Sequence, residues 1–454
     1  MEDKQEQKFQ QMTQQPVGRL ICRLALPCII SMLVTAFYNM ADTFFVGLLQ
    51  SDAATGAVGV VFSMMNIIQA VSFFFGQGSG NYISRMLGQK HYDEASTMAA
   101  NGFFLALGAG VVLCVFGQIF LEPLANLLGS TPTILPYTKE YLRVILIGAP
   151  WMMASLVLNN QLRFQGSAVY SMVGITAGAV LNIVLDPLLI FTFELGVAGA
   201  GWATIISQFI SFLILLAGCA KGSNIHIHFR RVQINGFYIA QIFRGGLPSL
   251  ARQSLASVAT ICLNHAAQPY GDVVIAAMSV VQRIAMFGAS AMIGFGQGFQ
   301  PFCGFNYGAG LYKRVRKGFW FCVKGSFAFL VLVSIAASVF APQLVALFRD
   351  DPDVVAFATA ALRFQCISFP FHSWIVMSNM FQQVTGKTAP ATFMAMARQG
   401  IFYIPLVWIL TLSLGELGIQ MTQAAADLLT VACGIPLQLY ILRHMPKEDK
   451  LLKT

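Results

Sequence analysis

The chain has 454 residues, of which 56% are hydrophobic and only 10% are charged. Average soluble domains carry about 25% charged residues, so this composition excludes an ordinary soluble protein. The formal net charge of +9 would fit a nucleic-acid partner, but the positions of the basic residues argue against one. The nine cysteines lie within or beside apolar segments, without the spacing of a disulfide framework or a zinc site.

Long apolar segments recur along the whole chain, and about 20 helical residues cross the hydrocarbon core of a bilayer. Backbone groups in lipid must be satisfied internally, and the alternation of a β-barrel is absent. The pattern predicts an all-α integral membrane protein. Its twelve predicted transmembrane helices cover residues 20–48, 56–80, 95–120, 136–162, 168–192, 196–219, 243–266, 273–298, 316–341, 356–383, 391–411 and 417–442.

The charged residues between these spans are distributed unevenly. Lysine and arginine concentrate in one set of loops and in both termini, whereas the opposite loops are mainly acidic, with Arg349 as their only clearly basic residue. The positive-inside rule then predicts that both termini are cytoplasmic. The basic residues therefore set the topology, and we expect no nucleic-acid partner.

The two halves of the chain are related by an internal repeat. A shift of 220 residues aligns them without a gap over a long stretch, and a shift of 221 aligns Leu26-Pro27 with Leu247-Pro248. Matched positions include Gly76-Gln77-Gly78 with Gly296-Gln297-Gly298, Pro150 with Pro370, and Asn159 with Asn379. Because each copy holds an even number of spans, the sequence predicts two six-helix bundles in a parallel repeat.

This repeat predicts the domain organisation. The expected segments are a cytoplasmic N-terminal tail (1–19), an N-lobe with spans 1–6 (20–219), a cytoplasmic linker (220–242), a C-lobe with spans 7–12 (243–442) and a cytoplasmic C-terminal tail (443–454). Two such bundles suit a secondary transporter. No Walker-type nucleotide motif appears.

Three carboxylates fall clearly within spans: Asp42, Asp186 and Asp427. An ionisable group near the bilayer centre costs at least about 2.5–3.5 kcal/mol, so each is a functional candidate. Asp42 and Asp186 have a similar predicted depth in the same lobe, and Asn182 lies one helical turn before Asp186. Pro187 removes a helical hydrogen bond there. The group predicts a cation or proton site, or alternatively polar contacts that hold helices together.

Other residues have less specific interpretations. Pro27 should bend the first span, as an element that moves or as a static kink. Asp427 is expected to pair with a serine, threonine or arginine across its bundle. The roles of His265 and His372 remain open between core packing and function. Arg283 fits a cavity or an interhelical position.

The motifs together resemble the multidrug and toxic compound extrusion (MATE) family, especially the bacterial branch with DinF-like and MepA-like exporters. The resemblance covers about residues 16–445. It rests on Pro27, the Tyr38-Asn39-Met40-Ala41-Asp42-Thr43 stretch, Gly76-Gln77-Gly78, Arg85-Met86-Leu87-Gly88, and Asn182 with Asp186-Pro187. It implies a monomeric bacterial inner-membrane exporter of small organic cations, without a cofactor, driven by protons or sodium ions.

The resemblance also implies roles for individual residues. Ion or proton coupling, including any sodium site, falls on Asp42, Asn182, Asp186 and Thr204. The substrate cavity is expected to include Tyr38, Tyr141 and Asn159, and Arg283 is a further cavity candidate because of its position within span 8. Another branch of the family binds sodium through a glutamate in span 7 and an aspartate in span 10. This sequence has Arg252 and Gln253 in span 7 and His372 in span 10, so a sodium site in the C-lobe is not expected.

Two alternatives to drug export share parts of this pattern. A flippase or exporter of a lipid-linked or polysaccharide intermediate would share the architecture, but it needs basic groups for an anionic headgroup. An intramembrane aspartyl protease would carry a Gly-any-Gly-Asp element, which is missing before Asp186. At the offset of 220, Asp186 falls on Leu406 and Asn182 on Phe402. We therefore expect coupling in the N-lobe and a mainly apolar and aromatic cavity wall in the C-lobe.

Overall fold

The computed structural model of the chain describes residues 2–48 and 52–449. Within these ranges a few side chains lie outside the described part: those of Glu2, Asp3, Asp42, Thr43, Asp52 and Thr55. The side chain of Asp42, one of the predicted coupling acids, is therefore outside the described residues.

Helices account for nearly all of the described chain. The first half contains α1 (Glu2–Gln14), α2 (Val17–Gly47), α3 (Asp52–Gly88), α4 (Tyr92–Ile119), α5 (Leu121–Leu127), α6 (Leu135–Phe164), α7 (Ala168–Pro187) and α8 (Gly196–Cys219). The second half contains α9 (Gly236–Ala267), α10 (Asp272–Gly308), α11 (Tyr312–Val339), α12 (Ala341–Ala346), α13 (Pro352–Ser368), α14 (His372–Val384), α15 (Thr388–Met396), α16 (Tyr403–Leu414) and α17 (Glu416–His444). Two π-helical turns, Leu188–Thr192 and Ala397–Ile401, follow α7 and α15.

Eleven helical segments of the described chain are long and apolar enough to cross a membrane. The all-α membrane fold is thereby confirmed. The helix α9, at the seventh predicted span, is not among the eleven although it has 32 residues. Polar side chains such as Arg244, Arg252 and Gln253 lower its apolar character.

The chain forms two compact units. Unit 1 comprises Met1–Gln14 and Ile30–Gly246, and unit 2 comprises Gln15–Ile29 and Leu247–Thr454. One boundary, between Gln14 and Gln15, lies at the end of α1, and the other two fall inside α2 and α9. The two boundaries inside helices lie within three residues of the prolines that the repeat pairs, Pro27 and Pro248. The predicted lobes follow chain order. The units do not, because the first segment of α2 belongs to unit 2 and the first segment of α9 belongs to unit 1; these two pieces are the exchanged segments.

In unit 1, α6 is the central helix. It packs against α3, α4, α7 and α8, and most of its side chains are buried. Small residues permit these close contacts. A Cβ atom on Gly110 of α4 would approach the backbone of Pro150 to 2.6 Å. The apolar core around Tyr141, Ile145 and Ile205 surrounds this helix.

The Gly-Gln-Gly motif of each half packs against one of the exchanged segments. In unit 1 a Cβ atom on Gly78 would overlap the carbonyl oxygen of Ile242 in α9. In unit 2 a Cβ atom on Gly298 would overlap the backbone of Ala25 in α2. The second glycine of each motif, Gly78 and Gly298, is therefore explained by an equivalent close backbone contact.

Candidate functional site

A buried polar cluster in unit 1 joins α7 and α8. Asn182, Asp186 and Thr204 are each no more than 1% exposed. With its amide nitrogen directed at the carboxylate, Asn182 donates to Oδ2 of Asp186 over 3.0 Å, and its oxygen accepts from the backbone N–H of Thr204 over 3.2 Å. The structure thus brings together three of the four residues that the family resemblance implies for coupling.

The local sequence explains this geometry. Asn182 and Asp186 are four residues apart, so they share one face of α7. On the same face, Gly178 allows α8 to approach, since a Cβ atom there would be 3.2 Å from the carbonyl oxygen of Ser207. The α-helix ends at Pro187, and the π-helical turn Leu188–Thr192 follows it. The helix therefore changes geometry one residue after the buried carboxylate.

A cavity of about 120 Å³ lies next to this cluster within unit 1. Asn182 lines the cavity, whereas Asp186 does not. Tyr38, one of the predicted substrate-cavity residues, also lines this cavity. The other polar lining residues are Thr35, Asn39, Asn66, Gln69, Ser207, Gln208 and Ser211.

The remaining predicted residues lie elsewhere. Tyr141 is fully buried on α6 against Gly201, one turn before Thr204. The Asn159 amide donates to Oγ of Ser171 over 2.6 Å, and Ser171 is about 22 Å along α7 from Asp186. The structure does not bring Asn159 to the cluster.

Two further predicted positions are exposed. Arg283 on α10 and His265 on α9 both have exposed side chains. Neither lines the cavity of unit 1 or the cavity of unit 2 described next. Pro27 lies inside α2, which continues through it as an α-helix.

Unit 2 contains a second buried polar cluster, centred on Asp427. The Asp427 carboxylate is fully buried and accepts from Nε of Arg398 over 2.8 Å. It also accepts from Nε2 of Gln423 over 2.9 Å and from Oγ of Ser368 over 3.2 Å. Asp427 thus has partners of the kinds expected from the sequence.

A cavity of about 80 Å³ opens beside this ion pair within unit 2. Three basic side chains line it: Arg252 of α9, His372 of α14 and Arg398 of the second π-helical turn. His372 is 3% exposed, and its Nδ1 atom has no hydrogen-bond partner among the described residues. The wall combines apolar side chains with these basic groups, which were not predicted to meet, and none of the described lining residues is a phenylalanine, tyrosine or tryptophan of the kind expected for the C-lobe cavity.

The two cavities occupy equivalent places in the repeat. At the constant offset of 220, six lining positions of one cavity match six of the other: 69 with 289, 152 with 372, 156 with 376, 175 with 395, 178 with 398, and 179 with 399. His372 replaces Met152, and Arg398 replaces Gly178. At this offset Arg398 aligns with Gly178, which lies on the same face of α7 as Asn182. This alignment is the sequence signal that could have placed Arg398 in a cavity wall.

Comparison with known families gives a match to both halves of the chain. The MatE family model matches residues 27–188 and again residues 248–409. The two matched segments reproduce the internal repeat and together cover more than half of the chain.

Individual relatives match over nearly the full length. The multidrug export protein MepA of Staphylococcus aureus (strain MSSA476) is 28% identical over 452 residues, covering 99% of this chain and 98% of its own. MepA of Staphylococcus saprophyticus is 26% identical over 453 residues, covering 99% of both chains. An outward-facing multidrug resistance MATE family transporter of the MOP superfamily superposes with a TM-score of 0.91 at 25% identity, covering 96% of this chain and 98% of that one.

Proposed function

This chain belongs to the MatE family, and from that premise we propose that it exports small organic cations across a bacterial inner membrane in exchange for protons or sodium ions. The family consists of transporters, so the chain is a transporter and not an enzyme. The names of its relatives as multidrug export proteins support a broad range of organic substrates. The proposed orientation has both termini in the cytoplasm, and the proposed working unit is a monomer without a cofactor.

The observation that carries this proposal is the contact between Asn182 and Asp186 in the interior of unit 1. A carboxylate is costly to bury, and a bound cation lowers that cost by neutralising it. The amide of Asn182 and the hydroxyl of Thr204 lie within 3.5 Å of each other beside it. Carboxylate, amide and hydroxyl oxygens suit either a proton or a hard cation such as sodium.

The proposed cycle couples this cluster to the adjacent cavity through Asn182. Asn182 both donates to Asp186 and lines the cavity, so neutralisation of the carboxylate changes the hydrogen bonding of a cavity wall residue. A coupling ion from outside would neutralise Asp186 together with Asp42 and favour release of the organic cation. An organic cation from inside would favour the ion-free carboxylates. Pro187 supplies the position where α7 changes geometry, and Pro27 is the proposed position at which α2 bends during the cycle.

Transport in everted membrane vesicles tests the proposal. Because the cytoplasmic face is outside in these vesicles, an exporter carries its substrate into the lumen. Ethidium is the probe, and imposed proton and sodium gradients are applied separately to identify the coupling ion. Asp186→Asn and Asp42→Asn should each abolish gradient-driven transport. Asp93→Asn is the matched control, because Asp93 is highly exposed and pairs with Arg231 at the protein surface. Wild-type export rates in both buried-acid variants would contradict the proposal.

The exposed Arg283 and the basic cavity of unit 2 favour one alternative, a flippase for an anionic lipid-linked intermediate. A drug-susceptibility screen in a host that lacks its own pumps separates the two functions. Export activity predicts increased resistance to cationic compounds, whereas the flippase predicts unchanged susceptibility.

A further inference from the structure

The basic cavity of unit 2 has an unbalanced charge. Arg398 is neutralised by Asp427 at 2.8 Å. Arg252 lines the same cavity and has neither an ion pair nor a hydrogen bond among the described residues. Two guanidinium groups therefore face one carboxylate, which leaves one positive charge without a partner. A charge held in a membrane span is costly unless an anion or an acceptor compensates it.

Polar side chains at this cavity also have hydrogen-bonding atoms without a partner among the described residues. His372 is only 3% exposed, and its Nδ1 atom lacks a partner among the described residues. Gln399 adds an amide to the lining. A buried polar atom without a partner is destabilising. Arg252, His372 and Gln399 together offer donors to a ligand that accepts hydrogen bonds.

The rest of the wall restricts the ligand's chemistry. Met292, Ile293, Ile375, Val376 and Met394 give the cavity an apolar surface. Its volume of about 80 Å³ leaves room for several waters or a small polar group. Guanidinium groups bind carboxylates through paired, planar hydrogen bonds. An anionic head on an apolar body matches both parts of the lining.

The basic groups are an addition to the repeated scaffold. The equivalent cavity in unit 1 has Met152 and Gly178 where unit 2 has His372 and Arg398. Arg398 and Gln399 also lie in a π-helical turn, Ala397–Ile401, while positions 177–181 of α7 are regular α-helix. Single π-helical turns are frequent at functional sites. The scaffold alone therefore does not account for this cluster.

We propose that the cavity of unit 2 binds the carboxylate group of a small organic anion, with Arg252 as its principal partner. His372 donates a second hydrogen bond, and the Arg398–Asp427 pair fixes the position of the donor wall. The organic body lies against the methionine and isoleucine side chains. This site is independent of the proposed ion coupling, because it requires neither Asp186 nor a gradient.

Equilibrium dialysis of the purified full-length protein in detergent tests the site directly. Radiolabelled benzoate is the probe at pH 7, and benzamide is its neutral counterpart of the same shape. The wild-type protein should bind benzoate saturably, and benzamide should not displace it. Acetate and inorganic phosphate are tested as competitors for the bound benzoate. Acetate should displace benzoate at lower concentration than phosphate.

The variants locate the site. Arg252→Gln should weaken benzoate binding by at least about tenfold, the loss expected when a charged hydrogen-bond partner is removed, and Arg252→Lys should retain part of the affinity. Arg363→Gln removes an exposed arginine from the same unit and should stay within twofold of wild type. If Arg252→Gln does not elute as a folded monodisperse protein, His372→Gln provides a second test. Its affinity for benzoate should fall several-fold.

Any of three results would overturn the binding site: no saturable benzoate binding to the wild type, equal displacement by benzamide, or unchanged affinity in folded Arg252→Gln and His372→Gln. Stronger displacement by phosphate than by acetate would overturn the assignment to a carboxylate, because the site would then recognise phosphate. Because no gradient is present, a negative result here leaves the transport experiments on Asp186 and Asp42 unaffected.

Discussion

Arg398 and Asp427 form an ion pair in the interior of unit 2, with 2.8 Å between Nε and Oδ1. The carboxylate is fully buried, and the arginine side chain is 22% exposed. Gln423 and Ser368 complete the carboxylate's hydrogen bonds. A buried pair of this kind contributes less to stability than its geometry suggests, but breaking it leaves an uncompensated charge.

The first prediction concerns this pair. Asp427→Asn should destabilise the protein by about 3 kcal/mol, the lower end of the range for breaking a buried ion pair, because Arg398 keeps some exposure. Thermal unfolding of the purified protein measures the loss. The double variant Asp427→Leu with Arg398→Met should unfold at a higher temperature than Asp427→Asn. Equal unfolding temperatures for Asp427→Asn and wild type would show that the pair is not structurally required.

The second prediction concerns Asn182 as the link between Asp186 and the cavity. Asn182→Leu keeps a similar volume but removes both the donor to the carboxylate and the acceptor for the Thr204 N–H. We expect gradient-driven ethidium export to fall at least tenfold while the protein still folds, since one turn of α7 loses its polar contacts but keeps its packing. Gln118→Leu is the control, because the Gln118 amide donates to the Arg143 carbonyl at an exposed position on α4, away from the cluster. Full activity of Asn182→Leu would remove Asn182 from the coupling path.

The third prediction concerns the repeated glycines. Gly78→Ala should lower the unfolding temperature, because its Cβ atom would overlap the backbone of Ile242, which has little freedom to move. A cost of about 1–3 kcal/mol is expected for such overpacking. Gly298→Ala should behave in the same way against Ala25. Gly108→Ala is the matched control in a helix, since nothing lies within 4 Å of the position that its methyl group would take, and it should be neutral or stabilising.

The fourth prediction concerns Lys8 of α1, which lies outside the spans. Its Nζ donates to Oγ of Ser167 over 2.8 Å and to Oδ1 of Asn224 over 3.0 Å, and burial lowers the pKa of Lys8 from 10.5 to about 8. Between that folded pKa and the unperturbed value of 10.5, the unfolded chain holds a proton that the folded chain has released. The stability contribution of Lys8 therefore rises with pH through this interval.

Unfolding temperatures measured from about pH 7.5 to about pH 10.5, which spans both pKa values, check this dependence. Lys8→Met should flatten the rise, whereas Lys90→Met, which removes an exposed lysine, should keep it. A wild-type slope in Lys8→Met would assign the rise to another group.

The sequence predicted the helices and the cluster of unit 1 because both depend on local spacing. Apolar runs have the length of a membrane span, and a separation of four residues places Asn182 and Asp186 on one helix face. The contact with Thr204 followed from the family resemblance, because residues on different helices have no fixed spacing. The side chain of Asp42 lies outside the described residues, so its place beside Asp186 stays a prediction.

The cluster of unit 2 was harder to predict for the same reason. Arg252, His372, Arg398 and Asp427 belong to four different elements, and each alone has an ordinary structural interpretation. The structure places Arg398 in the cavity wall, and in the sequence the only pointer to that position is the offset of 220, which aligns Arg398 with Gly178 on the face that carries Asn182. The exchange at Pro27 and Pro248 was also not predictable, since chain order does not determine which core the first segment of a helix joins.

The exchanged segments bear on how the duplicated chain arose. A lone copy of the first half would end before Ile242 and leave Gly78 without the backbone that packs against it, while its own residues 15–29 would lack the core that they join in unit 2. Two separate copies could satisfy both needs by trading these segments, as in a domain-swapped dimer. Gene fusion of such a dimer would produce this connectivity in a single polypeptide. Separate fragments divided in the linker should therefore be insoluble alone and assemble only when both are made in the same cell.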